Sequence, residues 1–506
     1  MSKHDKKPQS TFQKIIQNIC TFCISILSSK WTIWIIILLF ILNALWVALL
    51  YRFPLVFDEN FHFHVIDIFS HTFSPIIINQ SPNYDLYGNL TYGNASLYHY
   101  ILSFPLRFVA AITDSFEIQV LSLRIINVLL AASGVYVFYK LFNELGIKKH
   151  LINIGLFIFA FMPLVTNVAA TISYDNLLFL LTALFFLYSA RLIKLAKPDT
   201  LLILQIIFTG TFASLAKFTF LPLFAFAAIY LFIYIIKKSG GYKKAWSIFT
   251  KDFKTSKRRF VIIAWLIPML IVLGLAAFRY GTAMIIYKTP LPDCTQTMSE
   301  ERCNKNPVSD VNKTLIEANK NNSLVNPSDY IMNWTQLMIG GFSLTTANTP
   351  TKAEGGHLPS VYQTILTATL VSGVLFLIYT WRSLKLDRRY TFIILSCLCL
   401  LFATLAFNAM TYYQFRANLN LQPRYAVSVL PVLLVFSVMA VDYIFRKYRL
   451  IKLALLCTVL LATTQGGGLI SHALVSNDTW YRDNINVLNF ERNVRNKIDP
   501  LVKEWR

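Results

Sequence analysis

Long runs of apolar residues, separated by short polar and mostly basic stretches, set the pattern of this chain. A helix needs about 20 predominantly apolar residues to cross a bilayer, and only helices and closed barrels pair every backbone group in hydrocarbon. Residues 31–51, 151–171, 358–380 and 391–413 are continuous, charge-poor runs of that kind. Weaker runs occupy 119–142, 175–195, 201–216, 220–236, 260–280, 424–445 and 453–476. The pattern predicts an all-α polytopic membrane protein with about eleven transmembrane helices. A twelfth apolar stretch, 96–112, is short and carries Pro105 and Arg107, so charge must decide its status.

Of the 506 residues, 55% are hydrophobic and 14% charged, and the formal net charge is +22. In a soluble protein such an excess would suggest nucleic acid as a partner. Here the excess is confined. The connections 1–30, 140–150, 191–199, 237–259, 381–390 and 446–452 hold 28 Lys and Arg against five acids, and the rest of the chain nets −1. The positive-inside rule assigns the basic set to the cytoplasm, which excludes nucleic acid and leaves membrane lipids as the partner of the charge. That assignment holds only if 96–112 does not cross, so this stretch is expected to be a re-entrant or surface helix on the outer side. An ordinary short span with a local exception to the charge rule stays open.

The expected layout follows. A cytoplasmic amphipathic segment, 1–30, precedes a transmembrane module, 31–280, with an outer loop at 52–118; an extracytoplasmic loop, 281–357, leads to the last transmembrane helices, 358–476, and an extracytoplasmic tail, 477–506. The first apolar run is too long for a cleavable signal and reads as an anchor in the plasma membrane. Cys294 and Cys303 fall in an outer loop, where an oxidising environment lets them pair, whereas Cys20 and Cys23 read as packing despite their CxxC spacing. No Walker motif, no GxGxxG after a strand and no internal repeat is present, and the cytoplasmic segments are short. Chemistry is expected on the outer face.

The strongest local signal follows the first run: Asp58 and Glu59, then His62, His64, Asp67 and His71. Ionisable groups at the end of a membrane helix are costly to desolvate and mark function by default. A solvated acidic loop is the plainer alternative. Asp58 with His62, and Asp67 with His71, have the i,i+4 spacing of one helix face. A divalent-cation site built from Asp58, His62 and Asp175 is therefore open, beside local hydrogen bonding by the histidines. Tyr98, in Leu97-Tyr98-His99-Tyr100, suits a membrane interface. Asp175, in TISYDN, begins a run from the outer side and reads equally as a helix cap or a second functional acid. Lys217, in SLAKFTF, and Arg424, in LQPRYAV, lie at the outer boundary, where each either neutralises a phosphate or snorkels to lipid headgroups. Arg124, one turn into its run, is a third cation.

An acidic pair, a second acid and two or three cations on one face suit a lipid-phosphate donor and a hydroxyl acceptor. In this order the residues resemble the GT-C membrane glycosyltransferases, which include protein O-mannosyltransferases and lipid A aminoarabinose transferases. The likeness is carried by Asp58-Glu59 after the first span, Leu97 to Tyr100, Leu123-Arg124-Ile125, Pro163 followed by Ser173-Tyr174-Asp175, and Ala216-Lys217-Phe218. A bacterial GT-C-like family is similar through Asp58-Glu59-x-x-His62-Phe63, Trp334 to Phe342 and Gln422-Pro423-Arg424-Tyr425.

The resemblance implies a GT-C-like fold and transfer of a sugar from a polyprenyl-phosphate carrier to a cell-surface glycan, lipid or protein hydroxyl, without nucleotide. Asp58 would act as general base, with inversion, and Glu59 would orient it or hold the acceptor. Lys217 and Arg424 would stabilise the phosphate leaving group, with Arg124, Asp175, His62 and Tyr98 as further substrate-binding residues. A lipid-linked oligosaccharide flippase or secondary transporter is the alternative, although such proteins usually place ionisable groups near the bilayer midplane and in repeats. A scaffold presenting 281–357 to cell-wall partners is a third reading.

Overall fold

The computed structural model describes residues 11–55, 58–92, 97–255, 258–342, 344–345, 356–357, 387–419, 421–446, 448 and 478–502. The expected spans at 358–380 and 453–476 lie outside the described residues. The helices in chain order are α1 (Thr11–Ser28), α2 (Thr32–Leu50), α3 (Glu59–Ser70), α4 (Leu97–Ala110), α5 (Phe116–Glu144) and α6 (Lys149–Ala160). They continue as α7 (Pro163–Ala170), α8 (Tyr174–Lys194), α9 (Thr200–Ala216), α10 (Leu221–Ser239), α11 (Tyr242–Thr255) and α12 (Arg259–Ala276), with further helices at Pro327–Gly341, Arg388–Phe415, Leu430–Ile444 and Ile485–Val502. Among the described residues six helical segments are long and apolar enough to cross a membrane, or seven if one bent pair counts as a span.

That bent pair corrects one expectation. The run at 151–171 is not one straight helix but α6 and α7, bent by 67°. Pro163 opens α7, and a proline has no N–H to continue the hydrogen-bond ladder of a preceding turn. The run at 424–445 is likewise shorter as a helix, because Pro423–Ala426 forms a separate 3₁₀ turn before Leu430–Ile444. The stretch at 96–112 folds as α4, whose 14 residues reach about 21 Å, short of the roughly 30 Å of hydrocarbon.

One core unites α2, α5 to α10 and the helices Arg388–Phe415 and Leu430–Ile444. α8 is its axis: 78% of its most apolar stretch is buried, against 22% for the span containing α10 and 17% for that containing α12. Large apolar side chains such as Phe232, Ile267 and Ile271 therefore face outward, as a lipid-facing surface requires. α5 approaches α8 so closely that a Cβ on Gly134 would sit 2.3 Å from the Phe179 ring.

Packed against this bundle, α3 and α4 lie side by side, joined at their first turns by His62 and His99 and at their last by Arg107, which donates to the carbonyls of Phe69 and Thr72. A disulfide between Cys294 and Cys303 ties an arm that docks on the same region. Arg302 of that arm pairs with buried Asp85, and Asn89 donates to Thr297. The carboxyl-terminal segment returns to the end of α2, where Arg52 N–H donates to Trp480 O, Arg482 N–H to Leu50 O, and Tyr51 bridges Tyr481. A two-residue antiparallel ladder pairs Leu344–Thr345 with Gly356–His357.

Candidate active site

The adjacent carboxylates of Asp58 and Glu59 are sent in different directions by one backbone angle. Asp58 precedes α3 in the left-handed region, φ 63°, which Asp tolerates better than most residues. Its side chain is 47% exposed, whereas Glu59, the first residue of the helix, is fully buried.

Glu59 is gripped from all sides. Arg124 donates to it in a fork, Nε to Oε1 at 2.8 Å and Nη2 to Oε2 at 2.7 Å, and the backbone N–H groups of Leu55 and Ile172 complete its shell. The remaining Arg124 donors reach the carbonyls of Ala48, Tyr51 and Arg52. One buried ion pair thus fastens the end of α2, the start of α3, α5 and the turn before α8, the two-pronged geometry that makes Arg suited to carboxylates.

Asp58 instead meets Arg424, Nη2 to Oδ2 at 2.7 Å. Arg424 is 2% exposed and lies 3.8 Å from Asp175 Oδ2, and Asp175 Oδ1 accepts from Lys217 Nζ. The result is a line of alternating charge, Asp58, Arg424, Asp175, Lys217, in which the Asp58 carboxylate alone faces solvent. Each member sits where a helix begins or ends. Ser173 caps α8, accepting from the Asp175 N–H and donating to its Oδ2, which leaves Oδ1 for Lys217. Lys217 closes α9, where a cation is favoured by the helix dipole. Arg424 occupies the 3₁₀ turn Pro423–Ala426. Gly341 ends its own helix against that turn, and a Cβ there would fall 2.0 Å from Pro423 Cγ. The two stretches Trp334 to Phe342 and Gln422 to Tyr425 therefore meet in space.

Two rings missing from the sequence-based candidates complete the site. Tyr174 and Tyr425 flank the Lys217 ammonium, with centroids 4.6 and 4.3 Å from Nζ. Their proximity in sequence to Asp175 and Arg424 was the available signal. His62 and His99 stack behind this face with Nδ1 and Nε2 2.9 Å apart, and the Tyr174 ring stands edge-on to His62 at 4.5 Å. Burial, then His99, then the cations Arg424 and Lys217 push the His62 pKa well below its ordinary value. Tyr98 is buried and donates to Asn127 Oδ1.

The expected i,i+4 pair of Asp58 and His62 does not form, because the left-handed turn takes Asp58 off the helix face; Asp67 and His71 do pair, at 3.5 Å, near the surface. The set Asp58, His62 and Asp175 does not converge as metal ligands. Arg424 stands between the two carboxylates, and among the described residues no group of three His, Cys, Asp or Glu side chains is placed to hold a metal ion.

No family model and no curated protein matches the sequence. Solved structures similar to it include ArnT from Cupriavidus metallidurans in the apo state, at 12% identity over 92% of this chain and 69% of that one, with a TM-score of 0.46. The same protein bound to undecaprenyl phosphate matches at 12% identity over 93% and 70%, with a TM-score of 0.48. The archaeal oligosaccharyltransferase AglB from Archaeoglobus fulgidus, in complex with an inhibitory peptide and a dolichol-phosphate, matches at 11% identity over 92% of this chain and 60% of its own, with a TM-score of 0.41.

Proposed function

We propose that this chain is a membrane glycosyltransferase that moves a sugar from a polyprenyl-phosphate carrier to a hydroxyl acceptor on the outer face of the plasma membrane. The observation that carries the reading is the line Asp58, Arg424, Asp175, Lys217: a half-exposed carboxylate backed by two buried cations. Asp58 takes the proton of the acceptor hydroxyl as its oxygen attacks the anomeric carbon from the face opposite the phosphate. The bond from that carbon to the phosphate oxygen breaks, its electron pair stays on the phosphate, and the configuration inverts. Lys217 and Arg424 supply the positive charge that stabilises the phosphate as it leaves, and losing one such contact typically costs about 10²- to 10³-fold in rate.

The remaining candidates take positioning roles. Asp175 holds the two cations apart and oriented. Glu59 and Arg124 fix the turn that presents Asp58, and His62 with Tyr98 packs the wall behind it. The outer-face location and the topology, amino terminus inside and carboxyl terminus outside, are part of the proposal and rest on the distribution of Lys and Arg.

Purified protein, a labelled polyprenyl-phosphate sugar and membrane acceptor fractions test the reading. Wild type transfers label and Asp58→Asn loses at least about 10²-fold of that rate. Equal rates would remove Asp58 as base. Movement of the lipid across vesicles without transfer would establish the transporter instead.

A further inference from the structure

The connection 237–259 holds nine of the 28 Lys and Arg in the basic set against a single acid, Asp252. Its centre folds as α11, whose 14 residues reach about 21 Å and are too short and too charged to cross a bilayer. The helix sorts its residues by face. Tyr242, Trp246, Phe249 and Phe253 recur at i, i+4, i+7 and i+11 and make one aromatic stripe, while Lys243, Lys244 and Lys251 fall outside it and are exposed. Asp252 accepts from Thr200 Oγ1 at 2.7 Å, which pins α11 to the first residue of α9.

The stripe starts inside the protein and runs out of it. Phe253 packs against the buried cluster of Leu204, Ile262 and Met269, which joins α9 to α12. From there the ring centroids step 5.0 Å to Phe249 and 5.7 Å to Trp246. At the far end Trp246 and Tyr242 are 57% and 62% exposed, and Phe260 at the start of α12 is exposed as well. Two residues separate α11 from α10 and three separate it from α12, so the helix is held at the level where those spans end. Gly240 and Gly241, with φ of 77° and 118°, make the turn out of α10 that such a placement needs. Exposed aromatic rings beside unburied ammonium groups, at the end of two spans, match the headgroup layer of a negatively charged membrane.

We infer that α11 lies in the headgroup layer and docks on anionic phospholipids, its aromatic stripe toward the acyl chains and Lys243, Lys244 and Lys251 on the phosphates. The inference stands whether or not the protein transfers sugars, and on whichever side of the membrane the basic connections lie. Its test uses the full chain in nanodiscs of phosphatidylcholine alone, or of equal parts phosphatidylcholine and phosphatidylglycerol, and reads hydrogen exchange of the amides in 242–255. One cation near an anionic surface is worth about fivefold in binding, so three should slow exchange at least about tenfold in the anionic discs after screening. Added salt shrinks the difference.

The combined variant Lys243→Gln, Lys244→Gln and Lys251→Gln removes the difference, because it keeps the stripe and its Phe253 anchor but not the charge. Trp246→Gln speeds exchange in both kinds of disc. Should the combined variant fail to fold, the wild-type difference between lipids and its salt dependence decide. Equal exchange of wild type in the two discs, a slowing that the combined variant keeps in full, or Trp246→Gln exchanging like wild type overturns the inference. So does a slowing shared by the buried amides of α8, which would be a change of the whole fold. A slowing that appears in phosphatidylcholine alone and grows with the number of protein copies per disc would give the stripe to a second copy of the chain, and also overturns it.

Discussion

Glu59→Gln should unfold this protein more readily, whereas the same change one residue earlier, Asp58→Asn, should leave stability nearly intact. The contrast follows from exposure: the Glu59 side chain is 0% and its Arg124 partner 1% exposed, while Asp58 is 47% exposed. Replacing one member of a buried ion pair leaves the other charge uncompensated, at a typical cost of about 3–5 kcal/mol. The Ala48, Tyr51 and Arg52 carbonyls still accept from Arg124 in the variant, which favours the lower half of that range. The Asp58–Arg424 contact has solvent on one side, where pairs contribute about 0–1 kcal/mol. Thermal denaturation of the detergent-solubilised variants, followed by the monodisperse fraction, reads both. The double variant Glu59→Gln with Arg124→Met should recover part of the loss, since it removes the orphaned charge together with its partner. If Glu59→Gln proves as stable as wild type and loses turnover alone, Glu59 belongs to the chemistry and the framing role assigned to it is wrong.

Further expectations concern charge, pH and packing. Lys217→Met should lower transfer by about 10²-fold or more and retain acceptor affinity, measured as a kcat effect with KM preserved. Two fork bonds from Arg302 hold the Asp85 carboxyl below the usual carboxylate range, so this pair stabilises the fold above about pH 4 and loses its contribution as pH falls through the lowered value. Wild type should therefore lose more thermal stability between pH 5 and pH 3 (both about) than Arg302→Gln does. His62 works in the opposite sense of charge: its pKa is lowered in the fold, so the unfolded chain takes up the proton first, and stability should decline as pH drops below about 6.5. A His62→Phe variant should flatten that decline. Gly341→Ala should cut transfer by displacing the Arg424 turn, because its new methyl group has no room beside Pro423.

Much of the helical layout was legible because membrane spans obey a single strong constraint. α2 is recognisable from uninterrupted apolar length, and α5 and α8 from weaker runs long enough to span. The bend between α6 and α7 was less so, since Pro163 opens a new helix inside a run that hydropathy alone treats as continuous. At the site, the polar residues at helix ends were identifiable, and Asp58, Asp175, Lys217 and Arg424 do meet. Their pairing was not legible: nothing in the order of residues states that Arg124 would claim Glu59 while Arg424 claims Asp58. That choice depends on a single left-handed residue and on the depth of each helix end.

The junction of Leu50, Tyr51 and Arg52 with residues 480–482 has a consequence for biosynthesis. The backbone just ahead of Asp58 receives its last hydrogen-bond partners from a segment made more than four hundred residues later, after the last apolar run of the sequence. An emerging chain therefore carries the acidic turn without its clasp for most of its synthesis. Completion of the clasp is a late assembly step, and a chain cut before Asp478 should insert in the membrane yet leave Arg52 more open to protease than the full chain does.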